Sequence, residues 1–126
     1  YVNLLRRKGV DGLIVGSAAF DDRTVVRLAR EGYPLTLLAR DVPSVSISRV
    51  AVDDVRGGSL AAQHLLGLGH RRLAMVTEPW RIQSSRDRWQ GFAEAVAAAD
   101  PSAELRRVEA PGSSIEAGRS AAAGAS

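Results

Sequence analysis

Arg88 has a side chain that could hold a small ligand. Its guanidinium is a planar fork of donors that can take two vicinal hydroxyls, a carboxylate or a phosphate at two points. It follows Ser84 and Ser85, which read as the N-cap of a helix over RDRWQGFAEAVAAAD, so backbone N–H groups of a first turn are close by. Ser84 adds a hydroxyl. The plainer reading of Arg88, as of Arg86, is an exposed cation paired with Asp87 or another acid, and position alone favours it. Trp80 offers an aromatic face against which a sugar ring can pack. Trp89 instead falls on a helical stripe with Phe92, Ala93 and Val96 and is expected in the core. Asp53-Asp54 has the residue types of an acid/base pair, but adjacent acids ahead of a helix read first as an N-cap.

Other chemistries are excluded by what the chain lacks. It has no cysteine, so thiolate zinc sites, disulfides and Cys nucleophiles are absent. Its only lysine, Lys8, precedes Gly9 and cannot complete a P-loop. Gly67-Leu68-Gly69 comes before a strand and reads as a helix stop, not a dinucleotide fingerprint. Gly57-Gly58-Ser59-Leu60-Ala61 fails as a nucleophile elbow at its last position. His64 and His70 are not at the i, i+4 spacing of a ligand pair, and His70, just past a helix end, suits the helix dipole. The expectation is a protein that is not an enzyme and holds no metal and no cofactor.

The elements that must position these groups follow from periodicity. The chain of 126 residues is 45% hydrophobic and 25% charged, which suits a soluble globular fold, and no apolar run could span a bilayer. Its net charge of +3 is spread along the chain, so it does not by itself mark a nucleic-acid surface. The opening YVNLLRRKG reads as part of an amphipathic helix. LIV within Val10 to Ser17 is a buried strand. Asp21 or Asp22 caps a helix over RTVVRLAREG, which Gly32 and Pro34 end. LTLLA from Leu35 is a second strand, and Ser44 to Val52 is a partly exposed one with Val45, Ile47 and Ala51 alternating with serines. The next helix runs from Asp53 or Asp54, with Leu60, Ala61, Leu65 and Leu68 as its buried face, to Gly67 or Gly69. Gly57 and Gly58 in its first turns point to close approach of another backbone or to a helix begun later, and Gly12 and Gly91 read as packing or turn residues. Strands at Leu73 to Thr77 and Leu105 to Val108 flank the Arg88 helix, and a small-residue helix begins at Ile115.

Short apolar strands alternating with helices specify an α/β fold of parallel sheets flanked by helices. In such sheets ligands sit beyond the carboxyl ends of the strands. That rule selects three loops: Gly16-Ser17, Arg40-Asp41 and Trp80 to Arg88.

VDGLIV, the run SVSISRVAVDDVRGGSLAAQHLLGLGHRRLAMV and SSRDRWQGF together resemble the LacI/GalR family of bacterial transcriptional repressors. The likeness is strongest at His64 to Leu73 and at Arg86 to Phe92. The resemblance implies a partial two-lobe, periplasmic-binding-protein-like fold, with residues 1–52 in the first lobe, Ser44 to Val52 its crossover strand, and 53–126 in the second. It implies that a small-molecule effector, a sugar or sugar derivative, binds between the lobes and controls operator binding in a cytoplasmic regulator. The effector contacts it implies are Gly16, Arg40, Val52, Ile82, Ser84 and Arg88, with Asp53 at the hinge. The loop rule adds Ser17, Asp41 and Trp80. Family members often place an aromatic near Ser113, and this chain has none there.

The resemblance further implies a homodimer, with Tyr1, Leu4 and Leu5 either on a dimer helix or in ordinary packing, no membrane partner, and operator DNA reached only through an N-terminal helix-turn-helix that this chain lacks. An exported sugar-binding protein of a transporter is the alternative. An opening strand is expected between the strands at Leu13 and Leu35. Its absence is expected to leave the isolated chain unstable or prone to aggregate.

Overall fold

The computed structural model describes residues 2–16, 22–39 and 41–124. The chain divides into two compact units, Tyr1–Val52 and Asp53–Ser126.

The N-terminal unit contains α1 (Val2–Arg7), β1 (Leu13–Val15), α2 (Arg23–Arg30), β2 (Leu35–Leu38) and β3 (Ser48–Val50). Its three strands form a parallel sheet in the order β1-β2-β3, with Leu13 opposite Leu35 and Leu37 opposite Arg49. β1 and β2 are therefore direct neighbours, and the strand expected between them has no place there. The continuous apolar runs predict these strands because every second side chain must meet a core. Leu35 and Leu37 pack with Val25 and Leu28 of α2 and with Val42, while Val45 and Ile47 pack at its margin. Those two residues precede β3, so the alternation in the serine-rich segment marks a loop lying on the core and only its end forms a strand. On the other sheet face, Ile14, Leu38 and Val50 are exposed. Leu4 and Leu5 of α1 are exposed too; Tyr1 lies outside the described residues.

Asp22 caps α2, its carboxylate accepting from the N–H groups of Thr24 and Val25 at 2.9 and 3.1 Å. Asp21 lies outside the described residues. At the other end Gly32 has φ +68°, and the N–H groups of Gly32 and Tyr33 return to Ala29 and Leu28. A left-handed residue there satisfies the last carbonyls, and glycine adopts it without a Cβ penalty. Asp22→Ala is expected to lower stability by about 1 kcal/mol, read as a lower urea midpoint at constant m-value.

The C-terminal unit contains α3 (Asp54–Gly67), β4 (Arg72–Thr77), α4 (Gln83–Ala99), β5 (Glu104–Glu109) and α5 (Ile115–Ala123). β4 and β5 pair in parallel from Arg72 opposite Glu104 to Thr77 opposite Glu109. Ala62, Leu73, Phe92 and Val96 form the core, with Leu65, Leu66 and Met75 at its edge. Two apolar patterns come out differently from the periodicity. The buried face of α3 is Gly58 and Ala62, while Leu60, Ala61 and Leu68 are exposed. Trp89 is half-buried outside the core cluster. Both follow from one cause: α3 and α4 meet through small residues, which rotates the larger apolar side chains off the contact.

Candidate functional site

α3 and α4 cross at two glycines. A Cβ on Gly58 would stand 1.9 Å from the carbonyl oxygen of Arg88, and one on Gly91 would stand 1.8 Å from that of Val55. The two backbones thus touch where any other residue would hold them apart. The crossing presents the start of α4 to the start of α3, and there the Arg88 Nε donates to Asp54 Oδ1 at 2.7 Å. Asp54 is mostly buried, while the arginine keeps about half its side chain in solvent, at 47% exposure. The guanidinium is thus aimed by one carboxylate and still has donors facing outward. Asp53 caps α3, accepting from the Arg56 N–H at 2.8 Å. The two aspartates therefore have separate structural tasks rather than forming an acid/base pair.

α4 begins at Gln83, one turn earlier than the sequence pattern placed it. Ile82 is the N-cap and supplies no side-chain hydrogen bond, and Ser84 and Ser85 are buried within the first turn rather than capping it. Their small side chains fit where α4 passes close to its neighbours. At the carboxyl end of β4, the Thr77 hydroxyl is buried with no hydrogen-bond partner among the described residues.

Trp80 is fixed from the β5 side. Its N–H donates to Glu109 Oε1 at 3.0 Å, Arg107 donates to the other carboxylate oxygen at 3.1 Å, and the Arg107 guanidinium lies 4.1 Å from the centre of the indole. Trp80 lines a concavity of α4 with Gln83, Asp87 and Trp89, whereas Ser84 and Arg88 are not among the residues lining it. The Trp80 N–H, and next Arg107, hold the Glu109 carboxyl below the usual glutamate range. A lowered folded-state value means that this contribution is complete at neutral pH and is lost as pH falls through that value. Acidification is therefore expected to change the Trp80 fluorescence environment below the ordinary glutamate range. Glu109→Gln is expected to abolish that change over the same window; an identical titration in the variant would show that another group controls the loop.

In the N-terminal unit, Gly16 is exposed at the end of β1, and Val52 is 71% exposed. Asp41 is engaged by Arg49 of β3 in an ion pair. Ser17 and Arg40 lie outside the described residues. Ala39, at the end of β2, has a positive φ of 53°, an uncommon conformation for a residue with a Cβ.

The structure thus brings Arg88 together with Asp54, and places Trp80 and Trp89 on the lining of one concavity. Sequence reasoning named neither Asp54 as the partner of Arg88 nor Arg49, Arg107 and Glu109, because these pairings depend on how separate elements dock. The two glycines were the available signal: helical glycines at Gly58 and Gly91 announce a close crossing, and a crossing places the first turns of both helices side by side. Among the described residues no cluster of three or more His, Asp or Glu could hold a metal ion. No helix among them is long and apolar enough to cross a membrane.

The family described as periplasmic binding proteins and sugar binding domain of LacI family matches residues 1–124. The HTH-type transcriptional regulator DegA of Bacillus subtilis is 34% identical over 99 residues, covering 76% of this chain and 29% of the regulator. The regulator CelR of Thermobifida fusca is 36% identical over 92 residues, covering 71% and 27%. Among solved structures, the Cra transcriptional dual regulator of Pseudomonas putida in complex with fructose 1-phosphate superposes with TM-score 0.73 at 26% identity, covering 86% of this chain and 40% of that one. A CelR–cellobiose complex superposes with TM-score 0.70 at 30% identity, covering 85% and 34%. The chain therefore spans less than a third of the length of the two regulators it matches in sequence. These relatives are regulators rather than enzymes, in agreement with the lack of any catalytic set in the sequence.

Proposed function

The chain belongs to the family of periplasmic binding proteins and LacI-type sugar-binding domains, and on that premise we propose that it is the ligand-sensing portion of a LacI-type transcriptional regulator. A sugar or sugar derivative binds between two lobes, residues 1–52 and 53–126, and controls operator binding by the whole protein, a cytoplasmic homodimer. The observation that carries this reading is the Arg88–Asp54 pair at the glycine crossing. A bidentate donor, oriented by a mostly buried carboxylate and still half-exposed, is suited to vicinal hydroxyls or a sugar phosphate. Ile82, Ser84 and Asp53 stand on the same two helix starts or beside them. Gly16, Ser17, Arg40, Asp41 and Val52 are the contacts proposed from the first lobe.

Support comes from relatives that are regulators and from similar structures holding fructose 1-phosphate and cellobiose. The regulatory relatives favour this reading over an exported transport protein. The mechanism is a shift between two interlobe arrangements, in which the effector stabilises whichever it binds more tightly. The test is a titration of the full-length protein with sugars and sugar phosphates while it is bound to a labelled duplex from upstream of its own coding sequence. A saturable change in duplex affinity is expected with at least one of them. Unchanged affinity across neutral sugars and sugar phosphates alike would overturn the reading.

A further inference from the structure

Two tryptophans occur in the chain, and both line one concavity of about 450 Å³ on α4. Gln83, Asp87, Gln90 and Glu94 share it, at i, i+4, i+7 and i+11, so they form one face of the helix. Arg88 and Ser84 do not line it. We propose that this concavity is a second carbohydrate site, independent of the Arg88 contact, which takes a neutral saccharide ring between the Trp80 and Trp89 indoles.

Three observations carry the assignment. First, both indoles are only partly buried although the unit has a core beneath them. Aromatic surface left facing solvent amid polar side chains is characteristic of recognition surfaces rather than of folding. Second, Trp80 is held in place before any ligand arrives: Arg107 covers its ring at 4.1 Å and Glu109 holds its backbone. A fixed platform loses little entropy on binding. Third, the polar groups are already held by hydrogen bonds to one another. Gln83 donates to Asp87 at 2.7 Å, and Gln90 donates to Glu94 at 2.9 Å.

Planar amides and carboxylates beside an aromatic face match a sugar, whose hydroxyls lie around the ring edge and whose C–H groups cover its faces. Asp87 and Glu94 outnumber the Arg86 guanidinium beside them, which disfavours an anionic ligand. The preference is thus for neutral sugars, opposite in charge requirement to the Arg88 contact.

The experiment labels the full-length protein with 5-fluorotryptophan and assigns the two ¹⁹F signals with Trp80→Phe and Trp89→Phe. Cellobiose, maltose, lactose and sucrose are then titrated in turn. At least one is expected to shift both signals saturably. Trp89→Ala is expected to weaken that binding by about tenfold or more, and Gln90→Ala to weaken it as well should Trp89→Ala fail to fold. Arg88→Ala is expected to leave it within about twofold. Absence of any shift would overturn the site. So would binding that Arg88→Ala abolishes and the Trp89 and Gln90 variants leave intact, which would place the sugar at the Arg88 contact alone.

Discussion

Gly91→Ala is expected to destabilise the C-terminal unit by about 3 kcal/mol or more, a large fraction of the stability of a small domain, read as a strongly lowered urea midpoint. The added methyl would meet the Val55 carbonyl at 1.8 Å and lie within 3.1 Å of the Ser59 nitrogen. Both are backbone atoms of α3, so no rotamer change makes room, and the helices must separate. Separation would also open the contacts of Phe92 and Val96 with Ala62. Gly58→Ala meets the Arg88 carbonyl at 1.9 Å and is expected to behave alike. Gly57→Ala is the control. It has nothing within 4 Å, and a helical Gly-to-Ala change there is expected to raise stability by about 1 kcal/mol. Urea denaturation followed by circular dichroism checks all three. Equal effects of Gly57→Ala and Gly58→Ala would contradict the crossing.

Arg88→Ala is expected to raise the effector concentration needed for half-response by about 100-fold, while operator affinity without effector stays unchanged. A charge-assisted bidentate contact that is partly desolvated on binding contributes on the order of 3 kcal/mol. Arg88→Lys keeps the charge but loses the fork, and is expected to recover only a small part of the response. Asp54→Asn tests the positioning carboxylate. It keeps the side-chain shape but weakens the pair that aims the guanidinium, and is expected to weaken the effector by about tenfold with the protein still folded. The readout is a dose–response curve of operator release together with the apo affinity. Loss of operator binding in apo Arg88→Ala would assign the residue to folding rather than to sensing.

The strands and helices were largely legible, because each strand had to place apolar side chains on a core at period two and each helix at period 3.6. Legibility failed where contacts depend on docking. The Leu60, Ala61 and Leu68 stripe is periodic but exposed, since α3 meets α4 through Gly58 and buries Ala62 instead. Trp89 kept its periodic position next to Phe92 yet stands off the core for the same reason. β1 and β2 pair directly; order within a sheet is not written in the strands' own composition.

The Arg88 candidate came from its donor chemistry together with the family resemblance, since its position alone favours an exposed cation. Its partner was not visible, because Asp54 lies 34 residues away and meets it only through the crossing. Asp41 stands in a loop that the strand-end rule selects, and the structure pairs it with Arg49, a pairing that requires knowing that the loop after β2 returns alongside β3.

The glycine crossing also has a mechanical consequence. Where helices touch through side chains, a small tilt of one is absorbed by rotamer changes between them. Gly58 and Gly91 leave backbone against backbone, with no compliant layer. A force applied at Arg88 or Asp54 is therefore expected to turn α3 and α4 together rather than to slide one past the other. At the far ends of the two helices Arg71 joins Asp100 to the α3 carbonyl of Leu66, a second tie between them.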